Sequence, residues 1–228
     1  MIRMYITTII KRRYKMKFNY SVGNMKIGKD TLIFNMGSAT DCASGRLGLC
    51  ELFKTNACYA LKSEKHYPNV LPSRTQQEQY WLGTNAIDIA EDVHKAVSRK
   101  TKVAIKYVRV NESGDMHSTA CLDKLIAIAE MLPDVKFYTY THRSDIIGKG
   151  IDLPNNLVIN TSNFTASGCN SFSVVHEVKV SSLKKEFKTA RKAIREIKGD
   201  NALTCIGDCS KCSLCKIAHG KNIWIPLH

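Results

Sequence analysis

Four cysteines within eleven positions near the carboxyl end constrain this 228-residue chain more than any other feature. Cys205, Cys209, Cys212 and Cys215 lie in TCIGDCSKCSLCKIAH with the spacing C-x3-C-x2-C-x2-C. Disulfides suit this segment badly, because rings between such near neighbours are strained and the chain is no small secreted scaffold. Thiolates are soft ligands for zinc or iron, and four on one short segment can converge on one ion or cluster.

A second group, Cys42, Cys50 and Cys58, follows the pattern C-x7-C-x7-C in ATDCASGRLGLCELFKTNACYALK. Three thiolates leave one coordination position open, which separates working metal centres from closed structural ones. The remaining cysteines, Cys121 and Cys169, stand alone and read as packed thiols. Nine cysteines without an export signal point to a reducing compartment, the cytoplasm, and to metal rather than disulfides. Overlapping C-x2-C steps are closer to ferredoxin-type ligation than to the separated knuckles of zinc sites. An iron–sulfur cluster, 4Fe-4S foremost, is the expected cofactor, with zinc the competing occupant. The tail could hold a closed cluster and the early loop an open one, or the two loops could share a single cluster.

Between the cysteine groups the sequence alternates strand and helix. Residues 25–37 read as a strand ending near Met36, and the early cysteine loop follows at once. Residues 74–98 read as helix, broken near Gly83, with His94 on its surface. Strands follow at 103–111, 135–142, 156–163 and 171–180, with helices at 119–132 and 182–198. This alternation implies a parallel sheet with right-handed crossovers, and too few units for a full eight-fold barrel. The expected fold is α/β, a partial or distorted β/α barrel with a cysteine-rich C-terminal tail. The expected organisation is a basic extension at 1–24, a β/α domain at 25–200, and a cluster-binding tail at 201–228 packed on it.

Ligands of parallel α/β folds sit beyond the carboxyl ends of the strands. Those ends carry the early cysteine loop, then Asn111 to Asp115, then Thr141 to Arg143, then Thr161 to Asn163. Asp115 and His142 are the candidate catalytic residues, as hydrogen-bond acceptor and proton shuttle.

The formal net charge of +14 favours an anionic partner, so nucleic acid is a possible one, beside a small-molecule or redox partner. No apolar run approaches the roughly 20 residues of a membrane span, so no membrane partner is expected.

The ordered set Cys58-Tyr59-Ala60, Ser113-Gly114-Asp115, DVKFYTYT from Asp134 to Thr141, a cysteine-rich tail and a terminal His228 resembles the phage gene-product-88 family. The resemblance runs from about Lys26 to His228 and implies a phage-encoded protein of the infected bacterial cytoplasm. The layout also looks like radical S-adenosylmethionine enzymes, in which a three-cysteine loop after the first barrel strand holds a four-iron cluster. The spacing departs from their C-x3-C-x2-C and no glycine-rich methionine-recognition segment follows. That counts against S-adenosylmethionine, though not against an open cluster site. Two functions are therefore expected in competition. One is a radical-SAM-like redox or electron-transfer protein whose open cluster sits at the strand ends. The other is a zinc- or cluster-stabilised binding protein that docks nucleic acid or a host protein through its basic surface.

Overall fold

The computed structural model describes residues 16–24, 26–147, 151–181 and 184–227. The basic extension up to residue 15, the first two residues of the expected helix 182–198 and the terminal His228 lie outside the described residues. In chain order the elements are β1 (Ser21–Val22), β2 (Thr31–Phe34), α1 (Ala43–Arg46), α2 (Glu51–Lys54), α3 (Tyr59–His66), α4 (Val70–Gly83) and α5 (Ala86–Val97). Then come β3 (Tyr107–Val110), α6 (Thr119–Met131), β4 (Lys136–Thr141), β5 (Leu157–Ser162), β6 (Asn170–Lys179), α7 (Lys184–Lys198), β7 (Leu203–Thr204) and β8 (Asn222–Leu227).

The strands form one eight-stranded sheet in the order β1-β2-β3-β4-β5-β6-β8-β7. Among the described residues only β1 runs antiparallel, against β2, and every other pairing is parallel. The α/β class expected from the alternation is the one the chain adopts. From β2 to β6 the order is sequential, without the reversal that gives doubly wound sheets helices on both faces. Successive right-handed crossovers in one direction place their helices on one face. Side-chain register confirms this. Leu32, Phe34, Val108, Val110, Phe137 and Ile159 share the face that forms one core with Trp81 of α4, Val93 of α5 and Leu125 of α6. Trp224 and Thr204 are in register on that same face, where Lys198 and Arg191 of α7 reach them. Among the described residues β1 and β7 do not pair, so no hydrogen-bonded seam closes the sheet into a barrel.

Local chemistry sets the element boundaries. The Asn85 side chain accepts the Asp88 amide at 2.9 Å and starts α5 just after Gly83 ends α4. In α7, Phe187, Ala190 and Ile194 recur at helical spacing and are buried. The connection from β5 to β6 is short for a parallel pair, residues 163–169. It suffices because only the last three residues of β5 pair with the first three of β6, so little height need be regained.

The described part of the expected extension and the tail both pack on the β/α body. Phe18 stacks near Phe34 and Tyr80 at 5.1 and 5.3 Å between ring centres, and β1 extends the sheet. The tail likewise supplies β7 and β8, two strands that the sequence reading did not anticipate. Two expected strands are shorter than read, 31–34 within 25–37 and 107–110 within 103–111.

Trp81 is 1 % exposed beneath Phe34, so Trp81→Ala should cost about 3–5 kcal/mol in urea unfolding with an unchanged m-value.

Candidate metal centre

The early cysteines follow β2 at its carboxyl end. Cys42, Cys50 and Cys58 each occupy the N-cap position of one of three consecutive short helices, α1, α2 and α3. The eight-residue repeat of the sequence is thus the length of one helical turn plus its return. The thiols feel one another and Asp115 electrostatically, Cys42 through Cys50 and Cys50 through Cys58. Burial pushes the Cys42 thiol up to about 11, against the pull of the Ser44 hydroxyl and the Gly45 amide. Burial raises Cys50 likewise.

Glu64, which no sequence motif singles out, holds this loop in place. Its side chain is 1 % exposed, and Oε1 accepts the Ala39 amide at 2.7 Å, Arg74 Nη1 at 2.9 Å and the Ser113 hydroxyl at 3.2 Å. Oε2 accepts the amide and hydroxyl of Thr40 at 2.9 and 2.8 Å. One carboxylate therefore fixes the approach to Cys42, helix α3 and the loop after β3. That loop packs tightly: Gly114 has φ +69°, and a Cβ there would sit 2.5 Å from the Gly37 carbonyl oxygen. Asn111 at φ +62° also accepts the Met36 amide at 2.9 Å.

Asp115 and His142 follow β3 and β4 at their carboxyl ends, and Asp115 acts electrostatically on Cys42 and Cys50. Asp115 is only 2 % exposed. Its carboxylate accepts the Met116 amide at 2.8 Å, the Thr141 hydroxyl at 2.7 Å and the His142 amide at 2.8 Å. These bonds tie the loop after β3 to the end of β4. Burial raises the Asp115 carboxyl above its ordinary value despite these donors, and burial lowers the half-buried His142 imidazole, with Asp115 pulling the other way. Arg143 is buried in an ion pair with Asp145 at 2.8 Å and also donates to the Met116 carbonyl.

The tail cysteines lie elsewhere, over the sheet face that the helices leave bare. Cys205, Cys209, Cys212 and Cys215 line one pocket with Tyr138, Tyr140 and Ile223. Polar side chains projecting from the strands pin the segment. Asn160 Nδ2 donates to the Cys215 carbonyl at 3.0 Å, and Asn170 Nδ2 to the Ile217 carbonyl at 2.9 Å. Asn170 Oδ1 accepts the amides of His219 and Gly220 at 2.9 and 3.1 Å. At the other edge the Cys209 amide donates to the Lys26 carbonyl at 2.9 Å. Lys216 Nζ reaches the Cys209 carbonyl at 3.2 Å and lies 4.2 Å from the Tyr107 ring centre. Burial, reinforced by the neighbouring thiols, pushes Cys205 up to about 11 and Cys215 up to about 12.

The donor chemistry fits a thiolate-bound metal or cluster, since four half-buried thiols line one pocket and three more follow β2 at the strand ends. Their convergence is incomplete: among the described residues no three His, Cys, Asp or Glu side chains come close enough together to hold a metal ion. Cys121 and Cys169 are buried core thiols, Cys121 accepting Trp81 Nε1 at 3.4 Å, and His94 is exposed on α5. Among the described residues no helix is long and apolar enough to cross a membrane.

The family model described as Gene product 88 matches residues 11–221. No curated protein and no solved structure matches the chain.

Burial alone would raise the Glu64 pKa, yet the Ala39 amide, Arg74 and Thr40 together hold it below the ordinary range. Its contribution to stability is present above the ordinary value of 4.5 and is lost as pH falls through the lower folded-state value. Glu64→Gln strands a buried Arg74, should cost about 3–5 kcal/mol at pH 7, and should flatten that part of the acid dependence in urea titrations run from pH 7 to 3.

Proposed function

Since the chain belongs to the gene product 88 family of phage proteins, we propose that it is an iron–sulfur protein with a redox or electron-transfer role. Cys205, Cys209, Cys212 and Cys215 would hold a closed cluster, and Cys42, Cys50 and Cys58 an open one at the strand ends. The observation that carries this reading is the single pocket lined by all four tail thiols and walled by Tyr138, Tyr140 and Ile223. When bound, such clusters supply one-electron chemistry.

The chain's own residues have separable tasks in this reading. Tyr138, Tyr140 and Ile223 keep bulk water from the tail pocket. Lys26 and Lys216 set positive charge beside the thiols, so that a buried anionic centre is offset. Glu64 fixes the loop that carries Cys42, and Asp115 acts as a positioning residue that holds the end of β4 and the His142 backbone. The His142 ring, kept neutral by burial, is the group able to accept a proton at the open site. None of these tasks requires adenosylmethionine.

Protein purified under nitrogen should be brown, with broad visible absorption and bound iron and sulfide. A colourless preparation with stoichiometric zinc overturns the cluster. Cys212→Ala should lose metal together with folded protein, because metal ligation of this kind is coupled to folding. Cys50→Ala should lose only the early loop's share of iron.

One observation favours a second reading, a metal-stabilised protein that docks nucleic acid. Lys185, Lys188, Lys192 and Arg195 are exposed on α7 at spacings of three, four and three, a single basic stripe opposite its buried face. If that stripe binds, affinity for a duplex should fall with salt at a log–log slope of about −0.9 per phosphate contact, and Lys188→Glu with Lys192→Glu should flatten the slope.

A further inference from the structure

Arg109 is a cation in the middle of a parallel strand, where a charge needs a partner. It has none: among the described residues no carboxylate lies within ion-pair distance, and Nε, shielded from water, has no hydrogen-bond acceptor. Its guanidinium carbon lies 4.9 Å from the centre of the Tyr140 ring, which fixes the plane of the fork. Tyr138, its register partner on β4, has a buried hydroxyl that is also unsatisfied; the Thr31 hydroxyl stands near it without reaching hydrogen-bond geometry. Two unsatisfied donors thus project from adjacent strands on the same face of the sheet.

That face is reachable beside Arg109. Tyr59, which neighbours Arg109 electrostatically, is 45 % exposed, so this side of Arg109 borders solvent. Its hydroxyl donates to the Glu112 carbonyl at 2.6 Å, which holds Cys58's neighbour over the end of β3. Glu112 is the acidic group on this side, and its carboxylate is engaged by Asn24 Nδ2 at 2.5 Å. Lys26 and Lys216 attend the tail thiols, whereas the groups that act most on Arg109 are Tyr59, Tyr138, Tyr140 and Glu112.

We propose that Arg109, with Tyr138 and Tyr140, forms a binding site for a small anion presenting two coplanar oxygens, a carboxylate or a phosphate, between the early cysteine loop and the tail pocket. An Arg fork takes such a group through paired charge-assisted hydrogen bonds, and Tyr138 is placed to donate a further one.

The test titrates the intact protein with sodium acetate and, separately, sodium phosphate at constant ionic strength, with chloride as the reference ion, and follows the unfolding midpoint. Iron and sulfide are measured on the same samples, so failure of the cluster reading and failure of the anion site are seen separately. The expected result is a midpoint that rises with one or both anions. Acetate alone assigns a carboxylate ligand, phosphate alone a phosphate ligand. Arg109→Met should weaken the response by about tenfold or more, and Tyr138→Phe by less. A wild-type midpoint no higher in either anion than in chloride overturns the site, as does an Arg109→Met protein that responds like wild type. Loss of iron in Arg109→Met beside a flat wild-type titration also overturns it, and makes the guanidinium a counter-ion of the metal centre. If Arg109→Met does not fold, Arg109→Lys and Tyr138→Phe carry the same comparison.

Discussion

A buried carboxylate cannot stay ionised unless the protein surrounds it with donors, and Glu64 is surrounded from three directions. The loop before Cys42, helix α4 through Arg74, and the turn after β3 through Ser113 all converge on it. The loop and the turn are irregular and carry little apolar surface of their own, whereas α4 is anchored in the core by Tyr80 and Trp81. Their arrangement at the strand ends therefore depends on one charge whose cost of burial is offset only when every partner is present. This makes the site end of the sheet cooperative. The early cysteines cannot move independently of the Gly37–Gly114 contact or of the Asp115 bridge to β4, because the same short loops carry all three.

The other organising constraint is topological. A sheet that grows in one direction with right-handed crossovers covers one face with helices and leaves the opposite face bare. In most parallel sheets both faces are covered, and both read as apolar. Here the second cover is the cysteine segment itself, which has too few apolar side chains to bury a hydrophobic strand face. The strands answer with Tyr107, Arg109, Tyr138, Tyr140, Asn160 and Asn170 on that face, in register across β3 to β6. The asparagines act as backbone surrogates for a segment with almost no ladder of its own. The tail is thus part of the fold, threaded between β7 and β8, and not an appendage.

These two constraints explain how far the sequence could be read. Helices α5, α6 and α7 and the central strands carry apolar periodicity, and their positions follow from it. The three short helices of the early loop have no periodic face, so only their cysteine spacing was visible. β7 has two residues, and β8, Asn222–Leu227, sits behind a cysteine motif and contains a proline, which argues against a strand buried on both sides. Glu64 was invisible because its partners lie 10, 24, 25 and 49 residues away, and nothing local distinguishes it from a surface glutamate. Asn160 and Asn170 left a trace: asparagine is disfavoured inside strands, so two of them in otherwise β-prone runs signal side chains with work on the backbone. Asp115 and His142 stand beyond β3 and β4, where the strand-end rule looks for ligand contacts. The rule does not say whether a carboxylate there faces a ligand or its own backbone, and Asp115 faces the backbone.

Charge balance links the site to the face that covers it. Lys26, Arg109 and Lys216 bring three cations to the bare face of the sheet, with no carboxylate at ion-pair distance from any of them among the described residues. Aromatic rings supply partial compensation, Phe187 for Lys26, Tyr107 for Lys216 and Tyr140 for Arg109. Rings alone are a weak answer to desolvated charge, whereas thiolates and a bound anion are strong ones. Without negative charge the cations repel one another, as Lys26 and Arg109 do, and burial keeps the Cys205 and Cys215 thiols raised. With it, both imbalances are relieved by the same event. The face therefore has the electrostatics of a receptor whose positive half belongs to the chain and whose negative half is completed by what it binds.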